Sequence, residues 1–289
     1  MIFLKNFKLL DEDTEYFLLS NKLNIHNNVY PLRIFPEKEF SNIEFEPITC
    51  FYGGNGSGKT TILNIISDTL NASKRNFDKK GDIFNKYVDI CKRNYELVHE
   101  YDCKEIKYIS SDDVFDYLLD LRAINSNVNR RKDDLVSKYF DYKYGNDKGF
   151  DITDYERIKN EVDAKRMTTS KFVRTKLINN NIIQESNGET ALGFWQNEIQ
   201  DNALYIIDEP ENSLSAENQL KLKTFIEESA RFYNCQFIIA THSPFLLALD
   251  GAKIYDLDSK PVSVKKWTEL DNVKVYNEFF KEHEIEFKG

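Results

Sequence analysis

A glycine-rich segment at residues 53–60 carries the clearest chemistry in this sequence. It reads GGNGSGKT and matches G-x-x-x-x-G-K-[ST], in which backbone N–H groups surround phosphate oxygens and a lysine adds positive charge. An apolar run at 48–52 precedes it and a helix-forming run at 61–66 follows. This is the strand–loop–helix context that the motif requires, and a chance glycine-rich turn would not explain it. We therefore predict a nucleoside triphosphate site.

The loop and the start of the following helix supply the predicted binding residues. These are Asn55, Gly56, Ser57, Gly58, Lys59, Thr60 and Thr61. A helix that starts here directs its positive end at the phosphates. Lys59 would add charge, and the Thr60 hydroxyl would be a ligand for Mg²⁺. ATP and Mg²⁺ are thus the expected ligands.

An apolar run at residues 204–207 ends in two carboxylates, Asp208 and Glu209. Such a run predicts a strand buried on both faces whose carboxyl end meets the site. Asp208 is expected to hold Mg²⁺, and Glu209 to orient or deprotonate the attacking water. The alternative is an ordinary strand followed by an acidic turn.

A second apolar strand is predicted at residues 236–240, followed by Thr241 and His242. An imidazole at that position could donate a hydrogen bond to the γ-phosphate and sense its presence. The alternative is a histidine with a local backbone partner.

Together, GGNGSGKT, LYIIDEPENSLS and ATHSPF resemble the ATPase core of the ABC superfamily. The resemblance is to the soluble branch that contains RecF, SMC and OLD-type proteins and the bacterial defence ATPases of Septu systems and retrons. It covers the phosphate-loop region to about residue 75 and then residues 180–258. It implies that ATP lies between two subunits, with a serine–glycine signature from one subunit capping the γ-phosphate bound by the other.

The candidate signature is Ser186-Asn187-Gly188-Glu189, shortly before the acidic strand. The Ser186 hydroxyl and the Gly188 N–H would form an anion site at a helix start. The alternative is a serine helix cap with Glu189 as its capping-box partner.

One departure from the family concerns a glutamine that normally follows an early strand and reaches Mg²⁺ and water. The equivalent place here is residues 105–113, which read EIKYISSDD. Ser111 or Asp112 could act through a water, or the site could turn over slowly and act as a switch. Alternatively, residues 110–113 only cap a helix that begins near Val114.

These motifs predict an α/β fold of the P-loop NTPase type. We expect an ABC-ATPase-type core sheet flanked by helices, an N-terminal antiparallel β subdomain and an inserted helical lobe, together forming one domain over 1–289. The expected parts are an N-terminal β part at 1–52, the helical lobe at 73–180, the signature, Walker B and histidine part at 181–258, and a closing segment at 259–289. Short apolar runs at 2–4, 16–19, 29–35 and 43–45 are predicted as the N-terminal strands.

Composition sets the outer bounds. The 289 residues are 41% hydrophobic and 30% charged, enough for one large α/β domain with an insertion. Four scattered cysteines are typical of small core residues in a reducing compartment. A net charge of −9 argues against a uniform surface for polyanions.

One local stretch is basic. It contains Lys165, Arg166, Lys171, Arg174 and Lys176. These residues could bind nucleic acid or an acidic partner, or they could form a solvated helix face.

We expect a cytoplasmic protein without a membrane partner, because no apolar run is long enough to cross a bilayer and the start is unlike a secretory signal. The resemblance implies a homo-oligomer, at least a dimer through the nucleotide site, that controls a separately encoded effector in prokaryotic antiviral defence. Two alternatives remain. One is an ATP-bound sensor or scaffold with little turnover, which the missing glutamine favours. The other is a transporter's nucleotide-binding subunit, which Glu189 disfavours because transporters usually carry glutamine there.

Overall fold

The structure is a computed structural model that describes residues 1–20, 29–75, 80–144, 155–166, 187–212 and 214–288. The chain forms two compact units. The first comprises Met1–Phe115 and Asn187–Gly289, and the second comprises Asp116–Ser186.

The described strands form two sheets in the first unit. In chain order they are β1 Leu4–Lys8, β2 Asn42–Glu44, β3 Ile48–Tyr52, β4 Tyr95–Leu97, β5 Glu105–Ile109, β6 Ala203–Asp208, β7 Gln236–Ala240, β8 Lys253–Asp256 and β9 Ser263–Lys265. The larger sheet has the order β5-β6-β7-β3-β8-β9, and its neighbours are parallel except for the antiparallel pair β8 and β9. Strands β3, β6 and β7 are buried along their whole length, as central strands of a sheet covered on both faces should be.

The described helices vary widely in length. In chain order they are α1 Glu12–Ser20, α2 Lys59–Thr69, α3 Asp82–Cys91, α4 Ser111–Tyr144, α5 Tyr155–Arg166, α6 Asn187–Glu198, α7 Ala216–Phe232, α8 Pro244–Leu247, α9 Asp271–Glu282 and α10 Glu284–Phe287. Helix α2 packs on β6, β7 and α3, and its Ile62, Leu63, Ile65 and Ile66 are fully buried. The helix that follows the phosphate loop is therefore fixed to the centre of the sheet.

The smaller sheet is antiparallel, in the order β2-β1-β4. The buried side chain of Gln236, in the large sheet, binds to β1 of the small sheet. The Gln236 Oε1 atom accepts hydrogen bonds from the backbone N–H groups of Phe3 and Leu4, both at 2.8 Å. The Gln236 Nε2 atom donates to the Leu4 carbonyl, also at 2.8 Å. One side chain thus attaches β1 to the start of β7.

The predicted fold class is confirmed. A parallel sheet flanked by helices carries the phosphate loop, and a small antiparallel sheet accompanies it. The described parts of α4 and α5 supply the helices of the second unit, where Tyr139 and Ala164 are buried together.

Two of the N-terminal runs predicted as strands are not strands. Residues 16–19 lie in α1, because the Asp11 carboxylate accepts the N–H of Thr14 at 3.0 Å and starts a helix. Residues 29–35 form turns, in which Arg33 has a φ of 69°. A short apolar run alone does not distinguish helix from strand.

The helical lobe predicted over 73–180 also starts later than expected. Residues up to Phe115 belong to the first unit. In this stretch α3 packs on α2, while β4 and β5 each join one of the sheets. Short strands between helices give little periodicity, which is why the sequence assigned this region to the lobe.

Glu15 is a buried carboxylate in α1, only 3% exposed. Its Oε2 atom accepts the Arg33 N–H at 2.5 Å, and within the described chain its Oε1 atom has no hydrogen-bond partner. Burial raises the pKa of Glu15 from its ordinary 4.5 to about 7. The folded protein therefore binds this proton more tightly than the unfolded chain, and stability falls as the pH rises from 4.5 through about 7 and then levels off.

Replacing Glu15 with glutamine should remove this pH-dependent loss of stability while keeping an acceptor for the Arg33 backbone N–H. The variant should gain on the order of 2 kcal/mol over wild type at pH 8, and much less at pH 5. Thermal or urea unfolding at both pH values measures the difference. Glu12→Gln, at an exposed position of the same helix, is the control. A gain from Glu15→Gln that is the same at both pH values would contradict the explanation.

Candidate active site

The glycine-rich loop joins β3 to α2, and its backbone favours glycine at several positions, Gly56 and Gly58 among them. Gly56 and Gly58 have φ values of 80° and 104°, which L side chains rarely adopt. A Cβ atom at Gly58 would also lie 3.0 Å from Ile34 Cγ2 and 3.3 Å from Phe35 Cε1. Because α2 begins at Lys59, the free N–H groups of its first turn lie at this loop.

Lys59 is folded over the loop. Its Nζ atom donates to the carbonyls of Gly53 at 2.8 Å and Gly54 at 3.2 Å. Burial lowers the pKa of Lys59, while the carboxylates of Glu209 and Asp208 raise it. The ammonium group is therefore held where the loop surrounds a phosphate.

Two residues that the sequence analysis missed support the loop from outside. Lys38 Nζ donates to the carbonyls of Ser57 and Leu257, both at 2.6 Å. The Asp258 carboxylate accepts the Gly54 N–H at 2.7 Å. Neither residue belongs to a motif, and both are far from the loop in sequence, so no local pattern could have identified them.

Asp208, at the end of β6, has the features of a metal ligand. Its Oδ1 atom is buried and has no hydrogen-bond partner in the part of the chain that the structure describes. Burial raises the pKa of Asp208 to about 6, and hydrogen bonds with Thr60 and Tyr108 oppose that rise. A carboxylate oxygen beside a threonine hydroxyl is the hard-oxygen donor set that Mg²⁺ prefers. Thr60 and Asp208 therefore fit the predicted metal site.

Tyr108 is a further site residue that the sequence analysis missed. It lies in β5, which pairs with β6, and its hydroxyl hydrogen-bonds with Asp208. The Lys74 ammonium lies over its ring, 4.7 Å from the centroid. Tyr108 thus contacts the Asp208 carboxylate from the strand after which a glutamine was expected. Only the strand order brings the two together.

The residues that flank the expected glutamine position form a helix cap. The Ser110 N–H and hydroxyl both donate to the Asp113 carboxylate at 2.8 Å, and the Asp113 N–H donates back to the Ser110 hydroxyl at 3.3 Å. This reciprocal cap starts α4 at Ser111 rather than near Val114. The capping interpretation is therefore confirmed, and Asp112 is exposed in the first turn of the helix.

Glu209 and His242 face each other across the ends of β6 and β7. The Glu209 N–H donates to the Ala240 carbonyl at 2.9 Å, and Glu209 has a φ of 49°, which is strained for a side chain of this size. Glu209 Oε1 and His242 Nε2 are 3.5 Å apart, and each side chain is about one third exposed. This separation is too long for a strong hydrogen bond, so both groups remain free to contact a ligand.

The charge state of His242 follows from its surroundings. Burial lowers the pKa of His242 below its ordinary 6.5, Lys59 lowers it further, and Glu209 opposes both. The imidazole is therefore neutral at pH 7, with one N–H to donate.

The remaining predicted residues lie as follows. Asn55 is exposed and Ser57 is buried. The Thr61 hydroxyl accepts a hydrogen bond from the Tyr30 hydroxyl at 3.1 Å. Gly188 lies in the first turn of α6, while Ser186 falls outside the described residues. The signature therefore stays a prediction.

The basic stretch is described only in part. Lys165 and Arg166 are exposed at the end of α5, whereas Lys171, Arg174 and Lys176 lie outside the described residues. Within the described ranges, no helix is long and apolar enough to cross a membrane.

The glycine-rich loop, the Asp208 carboxylate and the Glu209–His242 pair meet at one edge of a parallel sheet. This combination is typical of a P-loop nucleotide-binding domain of the ATPase type. The model of the AAA domain family matches residues 6–251, and the chain belongs to this family. No curated protein matches the chain significantly.

Three solved structures illustrate the fold at low similarity. The SMC head domain from Thermotoga maritima is 15% identical, with a TM-score of 0.38 and coverage of 92% of this chain and 99% of that one. The ATP-binding cassette MJ0796, as a post-hydrolysis dimer bound to ADP and Pi, is 15% identical, with a TM-score of 0.35 and coverage of 79% and 90%. The Smc head domain from Pyrococcus furiosus, bound to the C-terminal domain of ScpA, is 13% identical, with a TM-score of 0.34 and coverage of 82% and 94%.

Proposed function

We propose that this protein is a cytoplasmic ABC-type ATPase that binds ATP with Mg²⁺, hydrolyses it and dimerises around it. The observation that carries the proposal is Asp208, whose buried Oδ1 atom has no hydrogen-bond partner in the described structure and whose carboxylate interacts with the Thr60 hydroxyl. A buried acceptor without a partner is costly unless a ligand completes it. Lys59, Glu209 and His242 are placed around the same edge of the sheet.

The phosphates would be held by the loop amides and by Lys59. Lys59 would exchange its bonds to the Gly53 and Gly54 carbonyls for phosphate oxygens. When bound, Mg²⁺ would lie on Thr60 and Asp208 and neutralise charge on the phosphoryl oxygens. The attacking water remains to be positioned by other groups.

Glu209 and His242 would act on the water and the γ-phosphate respectively. Glu209 accepts a proton from the water, and its partial exposure lets water reach it. Neutral His242 donates its Nε2–H to a γ-phosphate oxygen without adding a fixed positive charge. Their separation of 3.5 Å lets both side chains serve one reacting group.

Dimerisation is proposed because the site is open on one side. Glu209 and His242 are each about one third exposed, and hydrolysis is favoured when bulk water is excluded. By family resemblance, a second copy would cover the site with Ser186, Gly188 and residues 212–215. The output would pass to a separately encoded effector in prokaryotic antiviral defence, or to nucleic acid bound through Lys165, Arg166, Lys171, Arg174 and Lys176.

A second candidate is an ATP-bound sensor with little turnover. The observation that favours it is Tyr108, which contacts Asp208 from the strand after which the family's glutamine would follow. A phenol bound to the metal ligand does not position water as an amide does.

Mass photometry of the wild-type protein, with phosphate release recorded in parallel, tests the proposal. We expect Mg²⁺ and ATP together to double the particle mass and to release phosphate, and ATP with EDTA to do neither. A dimer without phosphate release would support the sensor. A monomer that neither assembles nor releases phosphate would contradict both candidates.

A further inference from the structure

Glu211 connects the two turns that carry the proposed catalytic side chains. Its Oε1 atom accepts the backbone N–H of His242 at 2.6 Å and that of Ser243 at 3.1 Å. Its Oε2 atom is buried without a hydrogen-bond partner in the described chain. A carboxylate in such a position costs free energy to desolvate, so its two bonds to the turn after β7 require an explanation.

The other contacts around His242 leave its backbone N–H to Glu211. The last backbone hydrogen bond between them runs from Glu209 N–H to the Ala240 carbonyl at 2.9 Å. Beyond it, the chain after β6 turns through Asn212, whose amide donates to Glu209 Oε2 at 3.1 Å. The chain after β7 turns through His242, whose carbonyl accepts the Asn272 amide at 3.3 Å. Glu211 is the side chain of the first turn that binds the His242 backbone of the second, while Gln219 links Leu214 to the Ser243 hydroxyl farther from the site.

We propose that Glu211 is a positioning residue for ATP hydrolysis, which fixes the backbone of His242 relative to Glu209 so that both side chains face one γ-phosphate. This inference rests on the proposed ATPase function. Without the carboxylate, the turn after β7 would move, and the imidazole with it. A displacement of about 1 Å at a reacting group lowers a rate by as much as about a hundredfold.

The test compares three substitutions at this position. Glu211→Ala removes the acceptor and should lower kcat about tenfold to a hundredfold. KM and the Kd for ATP should stay within about threefold, because the loop and Lys59 hold the phosphates. Glu211→Gln keeps an acceptor oxygen and should retain most of the wild-type kcat. The aspartate of the Glu211→Asp variant is too short to reach both amides, so this variant should have the same low kcat as Glu211→Ala.

Gln219→Ala is the matched control. Gln219 Oε1 accepts the Ser243 hydroxyl at 2.7 Å, so this change perturbs the same turn without removing the bond to the His242 amide. It should leave kcat near wild type. Thermal unfolding of every variant establishes which of them fold, and Glu211→Asp replaces Glu211→Ala if the latter does not.

The outcomes separate the two proposals. A wild type that turns over, beside a folded alanine or aspartate variant with unimpaired kcat, would overturn the positioning role alone. The positioning role would also be overturned if KM and Kd rose as much as kcat fell, because that pattern indicates general damage to the site. A wild type that releases no phosphate would overturn the ATPase function and the positioning role with it.

Discussion

Replacing Glu209 with glutamine should lower ATP turnover about a hundredfold or more and leave ATP binding intact. Glutamine has the size of glutamate and can keep the contact with Asn212, but it does not take a proton from water. ATP would therefore remain bound, and the protein would accumulate as ATP-bound dimers. Single-turnover phosphate release, with the bound nucleotide identified after gel filtration, measures both effects.

The control for this variant is Glu228→Gln, at an exposed position of α7, which makes the same chemical change away from the site. It should hydrolyse ATP like wild type. If Glu209→Gln turned over at the wild-type rate, water would be activated by another group, and the assignment of Glu209 would be wrong.

Replacing Lys59 with alanine should weaken ATP binding about tenfold to a hundredfold and reduce hydrolysis to background. This follows because a hydrogen bond to a charged group contributes about 1.5–3 kcal/mol. Lys59 is the loop residue whose charge would face the phosphates, and its side chain is 5% exposed. Titration with a fluorescent ATP analogue gives the affinity, and phosphate release gives the rate.

The Lys38→Ala variant separates the effect of the Lys59 charge on ATP binding from the effect of the loop's shape. The Lys38 ammonium binds the carbonyls of Ser57 and Leu257, so its loss loosens the loop without removing the phosphate-facing cation. We expect a smaller loss of affinity than for Lys59→Ala. Equal losses would mean that loop shape, and not the Lys59 charge, determines binding.

The central strands and the motifs at their ends could be predicted from sequence. Strands β3, β6 and β7 are continuous apolar runs because both of their faces are covered, and each leads into polar residues at the same edge of the sheet. The phosphate loop was recognisable because its function requires a fixed spacing of glycines, Lys59 and Thr60.

Other parts of the site depend on contacts between distant segments. Tyr108 reaches Asp208 only because β5 lies beside β6, and strand order is not encoded in any local pattern. Lys38 reaches Leu257 across most of the chain. By contrast, residues 16–19 form a helix because the nearby Asp11 caps it, a local effect that outweighs a strand-like run.

The supported phosphate loop also affects the entropy of nucleotide binding. Ordering one residue of a flexible loop costs roughly 1–2 kcal/mol, and a loop that had to close around ATP would lose that amount from its affinity. Here Lys38 and Asp258 already hold the loop, so the loop loses its conformational entropy when the protein folds and not when nucleotide binds. Affinity for ATP is thereby linked to the segment after β8. Any change that frees Leu257 and Asp258 would weaken nucleotide binding without touching a phosphate-binding residue.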